Sequence, residues 1–141
     1  MSTSRISAEL RRAVRVRAGE ICEYCLIHEE DTFFGLEVDH IIAEKHGGET
    51  KLENLCCACL TCNRYKGSDI ATLDAETRAL VRLFDPRLDV WKEHFELEGA
   101  SIIGKTKVGE ATARLLKLNL EERLLERGIL QSLGRYPENQ K

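Results

Sequence analysis

The sequence of 141 residues predicts an α+β domain stapled by a metal. Three observations carry that expectation. Two cysteine pairs, Cys22/Cys25 and Cys59/Cys62, share the same two-residue gap. Short apolar stretches bounded by turn residues read as strands, and both ends of the chain carry apolar positions at helical spacing.

Ser4 or Ser7 caps a first helix running to about Ala18, with Ile6, Leu10, Val14 and Val16 on its apolar side and Arg11, Arg12, Arg15 and Arg17 around them. Gly19 ends it. Cys22-Glu23-Tyr24-Cys25 is a knuckle whose turn lets two sulfurs converge on one ion. Phe33, Phe34, Leu36 and Val38 lead into a short strand ending at Asp39-His40-Ile41-Ile42. A loop from Glu44 to Lys51 contains Gly47-Gly48; Leu52 and Leu55 are apolar anchors ahead of the second cysteine pair, and a helix is expected to start at Asn63 to Gly67. Leu80 to Phe84 reads as a strand stopped by Asp85-Pro86. Trp91, Phe95 and Leu97 form a packing segment, and Gly99 sets up a hairpin with Ser101-Ile102-Ile103-Gly104. One helix from about Glu110 to Arg127, with Gly128 as its stop, carries a wide leucine stripe; it packs on its own domain or meets a partner.

Size allows one domain, or one with an appended subdomain. The boundaries expected are a basic N-terminal helix at 1–20, a zinc-stapled core at 21–68, a hairpin and helical extension at 69–136, and a tail at 137–141. No apolar run approaches the roughly 20 residues a membrane span needs, and MSTSRISAELRR has no apolar signal core, so a cytoplasmic location with no membrane partner is expected. Oligomeric state is open.

The formal charge of −3 argues, if anything, against a nucleic-acid partner. It weighs little, because an enzyme cutting nucleic acid needs carboxylates and bound metal at its site and only a local basic face. The arginines of the first helix either supply that face or solvate an outer helix surface.

Six cysteines without an export signal point to metal rather than disulfides. Cys22, Cys25, Cys59 and Cys62 are the expected ligands of one structural zinc. Cys56 and Cys59 form an alternative CxxC register, but Cys56 and Cys57 lie in a run suited to apolar packing. His28 is a weaker substitute ligand. His46 is read as a solvated loop residue, and His94 as a hydrogen-bonded core histidine.

The run VDHIIAEKHGGETKLENLCCACLTCNRYKG resembles the HNH endonucleases, specifically stand-alone bacterial ones with an interleaved four-cysteine zinc site. The matching positions are Asp39-His40, Asn54, and Asn63 directly behind the second pair. Asn63 stands where many members have histidine, which makes this an HNN variant.

The resemblance implies a ββα-metal (His-Me finger) nuclease core that hydrolyses DNA phosphodiester bonds, with RNA or binding without turnover as the alternatives. His40 has the proton affinity of a general base near neutral pH. In the family's arrangement Asp39 and Asn63 hold one divalent ion. An amide oxygen in place of imidazole suits Mg²⁺ or Mn²⁺. Asn54 would pin the loop and orient His40, and Arg64 and Lys66 would clamp the substrate phosphate near a helix start.

Overall fold

The computed structural model describes residues 5–137. Helix α1 spans Ala8–Ala18: Ser7 Oγ accepts the Leu10 N–H at 3.1 Å, and Gly19 caps the other end. Of the four apolar positions expected to pack, Val14 is fully buried and Ile6 is buried just ahead of the helix, whereas Val16 faces solvent.

The α1 arginines turn inward more than expected. Arg15 donates to the Leu36 carbonyl at 2.7 Å and to the Glu29 carboxylate at 3.0 Å. Arg17 donates to the Leu52 and Leu55 carbonyls at 2.8 and 2.6 Å. These two cations therefore fasten α1 to the segments behind it.

Among those segments is a two-stranded antiparallel pair, β1 (Leu36–His40) with β2 (Leu55–Cys59), in the register Asp39↔Cys56 and His40↔Leu55. All five residues of β2 are buried, so the alternation that marks a half-exposed strand is missing from it. Helix α2 (Leu60–Lys66) comes at once, starting three residues earlier than expected. Its N-cap is Cys59, whose Sγ accepts the Cys62 N–H at 3.4 Å, so one cysteine both starts the helix and faces the metal group.

Beyond α2, β3 (Ala71–Leu73) pairs with β4 (Leu80–Arg82), α3 is the single turn Trp91–His94, and β5 (Phe95–Glu98) pairs with β6 (Ser101–Gly104) as the expected hairpin. The single helix expected near Glu110 to Arg127 is two: α4 (Lys107–Leu115), capped by Thr106, and α5 (Glu121–Ser132). Lys117 takes a positive φ in the break, and Gly128 lies inside α5 instead of ending it. Of the expected tail, only Pro137 falls within the described residues.

An aromatic cluster joins the two halves. Phe84 meets Phe95 and Tyr24 edge to face, with centroids 5.2 and 6.3 Å apart, and Trp91 Nε1 donates to the Tyr24 carbonyl at 2.9 Å. Each such aromatic pair is worth about 0.5–1.5 kcal/mol beyond its burial. His94 sits at the edge of this cluster, half-buried rather than in the core, bonded to Thr106 Oγ1 at 2.7 Å and edge-on to Phe84. No helix among the described residues is long and apolar enough to cross a membrane.

Candidate functional site

The first knuckle and the start of α2 bring four thiols together. Cys22, Cys25, Cys59 and Cys62 are all buried, with their sulfurs within 4.8 Å of one another. Around a zinc with bonds of about 2.3 Å, tetrahedral sulfurs lie about 3.8 Å apart. The Cys25–Cys59 sulfur separation of 3.7 Å fits that edge, so the group suits zinc as it stands.

Cys56 and Cys57 stay outside the group. Burial pushes their thiols up to about 12 and about 11, and Cys56 Sγ rests 3.8 Å from the Tyr24 hydroxyl. His28 is also apart, its Nδ1 accepting the Glu30 N–H at 3.0 Å.

Sequence reasoning missed Arg123. It reaches in from α5 and donates through Nη2 to Cys62 Sγ at 3.0 Å, with Cys59 Sγ at 3.8 Å; its Nη1 donates to the Leu116 and Lys117 carbonyls. Burial opposes its charge, but the neighbouring sulfurs of Cys62 and Cys25 hold the guanidinium well above its ordinary value. A four-thiolate zinc carries two surplus negative charges, and a buried cation donating to one sulfur offsets part of that.

At the other end of the hairpin, alternation along β1 sets the faces. Leu36, Val38 and His40 are buried, while Glu37 is exposed and Asp39 half-buried on the opposite side. His40 Nε2 lies 2.9 Å from Thr50 Oγ1. Its Nδ1 is buried without a hydrogen-bond partner among the described residues, 3.8 Å from Asp39 Oδ1.

Asn54 accepts the Ile42 N–H through Oδ1 and donates through Nδ2 to the Ile42 and Glu49 carbonyls, all at 2.9 Å. These bonds fix the loop that presents Thr50 to His40. Gly48 lies inside this loop with no room for a side chain: a Cβ there would come within 1.7 Å of the Ile42 carbonyl oxygen.

Asn63 meets β1 at a residue that sequence reasoning also missed. Its Nδ2 donates to Glu37 Oε1 at 2.6 Å, and its Oδ1 makes no hydrogen bond among the described residues. Glu37 and Asp39, two positions apart, share that face of the strand. A signal for Glu37 existed in its even spacing from Asp39. Carboxylate and amide oxygens are ligand types that Mg²⁺ and Mn²⁺ take.

Arg64 is exposed on α2. Lys66 is not placed to clamp a substrate: it is buried, its ammonium donates to the Ile41 carbonyl at 2.8 Å, and burial lowers its proton affinity.

The model of the HNH endonuclease family matches this part of the chain. The match to the HNH endonuclease model spans residues 22–69. The matched segment holds all four clustered cysteines together with Asp39, His40, Asn54 and Asn63, and domains of this family generally act on nucleic acids. Comparison with curated proteins and with solved structures returned no match.

Proposed function

We propose that the HNH domain is the core of an endonuclease that hydrolyses DNA phosphodiester bonds with a divalent cation, on a scaffold stapled by zinc. One arrangement carries the reading: His40 is held at Nε2 by Thr50 while Nδ1, beside Asp39, has no hydrogen-bond partner among the described residues. With Nε2–H donated to Thr50 Oγ1, Nδ1 keeps the lone pair a general base needs.

Asp39 and Asn63 would hold Mg²⁺ or Mn²⁺, with Glu37 turning the Asn63 amide so that its oxygen faces the ion. When bound, that cation supplies charge stabilisation at the scissile phosphate and the leaving oxygen. His40 Nδ1 takes one proton from water, and the hydroxide attacks phosphorus in line. The bond to the 3′ oxygen breaks, leaving a 5′-phosphate and, once that oxygen takes a proton from solvent, a 3′-hydroxyl. Asn54 keeps the loop and thereby Thr50 in place. Arg64 meets the substrate backbone, and Lys66 braces the Ile41 carbonyl directly behind His40.

A second reading has its own support. The His40 side chain is only 1% exposed, which favours a module that binds nucleic acid without turning it over. Incubation of the purified protein with supercoiled plasmid and Mg²⁺ or Mn²⁺ separates the two. Nicking that His40→Ala abolishes supports the nuclease; binding without nicking supports the module; and a His40→Ala protein that cuts like its parent sinks the mechanism. Competition among duplex DNA, single-stranded DNA and RNA identifies the substrate.

A further inference from the structure

The loop ahead of β1 carries two aromatic rings that the fold leaves uncovered. Phe33 is 90% exposed and Phe34 72%, and the rings touch edge to face with centroids 4.7 Å apart. The backbone beneath them is not slack. Thr32 Oγ1 donates to the Glu29 carbonyl at 2.9 Å, and the Glu29 carboxylate receives the Leu36 N–H at 2.8 Å and Arg15 at 3.0 Å. Asp31 is held by Arg135 at 2.7 Å. Gly35 turns the chain into β1 with a positive φ, where a Cβ would press within 2.7 Å of the Glu29 carboxylate. A tip braced on both sides is held out by the fold, and apolar area presented this way marks a binding surface.

The surroundings say what it binds. The rings line a cleft of about 280 Å³ with Thr61 and Arg64 of α2 and with Arg123, Arg127 and Glu126 of α5. Arg123 and Arg127 are spent on carbonyls and sulfur, whereas the Arg64 guanidinium makes no hydrogen bond or ion pair within the described residues. Glu126 sets one negative charge on the α5 wall. An aromatic face beside an uncommitted guanidinium is the pairing that stacks a base and holds its phosphate.

The position agrees. Only Gly35 separates Phe34 from β1, the strand that carries Asp39 and His40, and Arg64 comes directly after Asn63.

We propose that Phe33 and Phe34 form a base-contacting tip that grips nucleobases flanking the phosphate the candidate site addresses. This rests on the nuclease reading. The tip makes affinity, and any preference for particular bases, a property of the loop rather than of α2.

The test uses the full-length protein, zinc-loaded, carrying His40→Ala so that substrate persists, with Mg²⁺ and fluorescent single-stranded and duplex oligonucleotides. The Phe33→Ala/Phe34→Ala pair is expected to lose at least about tenfold in affinity for one or both, at unchanged zinc content and Tm, and Phe33→Tyr/Phe34→Tyr to restore it. An alanine pair that binds like its parent overturns the proposal, as does a tyrosine pair no better than alanine. Loss of sedimentation with anionic vesicles, at unchanged oligonucleotide affinity, reassigns the tip to a lipid surface and also overturns it. A parent that binds no nucleic acid at all removes the nuclease reading itself, a result distinct from these.

Discussion

Arg123 Nη2 donates to Cys62 Sγ at 3.0 Å, across 61 positions of sequence, and so ties the last helix to the metal group. Removing a hydrogen bond of this kind to a metal ligand typically costs 10- to 100-fold in metal affinity. Arg123→Met is expected to release zinc to a chelator at least about tenfold faster, with Arg123→Lys in between. The cobalt-substituted variant should show its thiolate charge-transfer band at lower energy, since an unbonded sulfur is the better donor. Unchanged release and an unchanged band would mean that the contact is only packing.

The two CxxC registers make opposite demands on zinc stoichiometry. Cys62→Ser is expected to lose the ion or the fold, while Cys56→Ser keeps one zinc per chain. Metal analysis of both variants decides it, and full zinc retention by Cys62→Ser is incompatible with the grouping described.

On the proposed nuclease reading, Thr50 positions His40 through its contact with Nε2. Thr50→Val removes the Oγ1 partner of Nε2 at nearly constant shape and should lower plasmid nicking about tenfold or more with zinc content unchanged, because a base in the wrong tautomer or orientation loses part of the 10²–10⁴ such groups contribute. Thr50→Ser should recover most of it. The pH–rate profile should also move in the valine variant, which loss of stability alone would not do.

Gly48 faces the Ile42 carbonyl oxygen with no space between. Gly48→Ala must push the loop away from Ile42 and loosen the Asn54 bonds, at a cost of about 1–3 kcal/mol as for other overpacked sites. Urea unfolding measures it. A midpoint equal to the parent's would show that the loop yields freely.

Acid stability has a named contributor. The Asp74 carboxylate accepts the Thr77 N–H at 2.8 Å and the Glu76 N–H at 3.0 Å and faces Lys107 at 3.2 Å, which together hold its pKa well below the ordinary carboxylate range. A folded value below the unfolded one means that the contribution is whole above the unfolded pKa, near 3.9, and fades as pH falls through the folded one. The stability gap between the parent and Asp74→Asn should therefore hold from pH 7 to about 4 and shrink below it. A gap independent of pH would assign the effect to shape alone.

What the sequence made legible was local. The Ser7 cap, the knuckle spacing and the Gly99 turn are each written within a few residues, and each element formed where expected. The helical break at 116–120 was not, since the leucine spacing runs on through it. The face α5 buries holds Arg123 and Arg127, which spend their donors on carbonyls of Ala100, Leu116, Lys117 and Leu118. An arginine in a sequence reads as solvent-facing; only its distant acceptors reveal otherwise. Strand β2 was hidden for a related reason, having no polar face to alternate with. At the candidate site, Asp39, His40, Asn54 and Asn63 stand out by type, order and family resemblance, and Glu37 is signalled only by its even spacing from Asp39; its bond to Asn63, and the contact of Thr50 with His40, exist only once the strand pair and loop are closed.

The first knuckle receives a bond from far downstream: the Tyr136 hydroxyl donates to the Cys25 carbonyl at 2.7 Å over a separation of 111 positions. Contacts this distant in sequence form late, because the loop between them must be closed first. A nascent chain that has emerged only as far as Cys62 already displays all four thiols, yet neither Arg123 nor Tyr136 exists to cover them. During synthesis there is thus an interval in which the thiols can capture metal, or be oxidised, without the protection they have in the finished molecule.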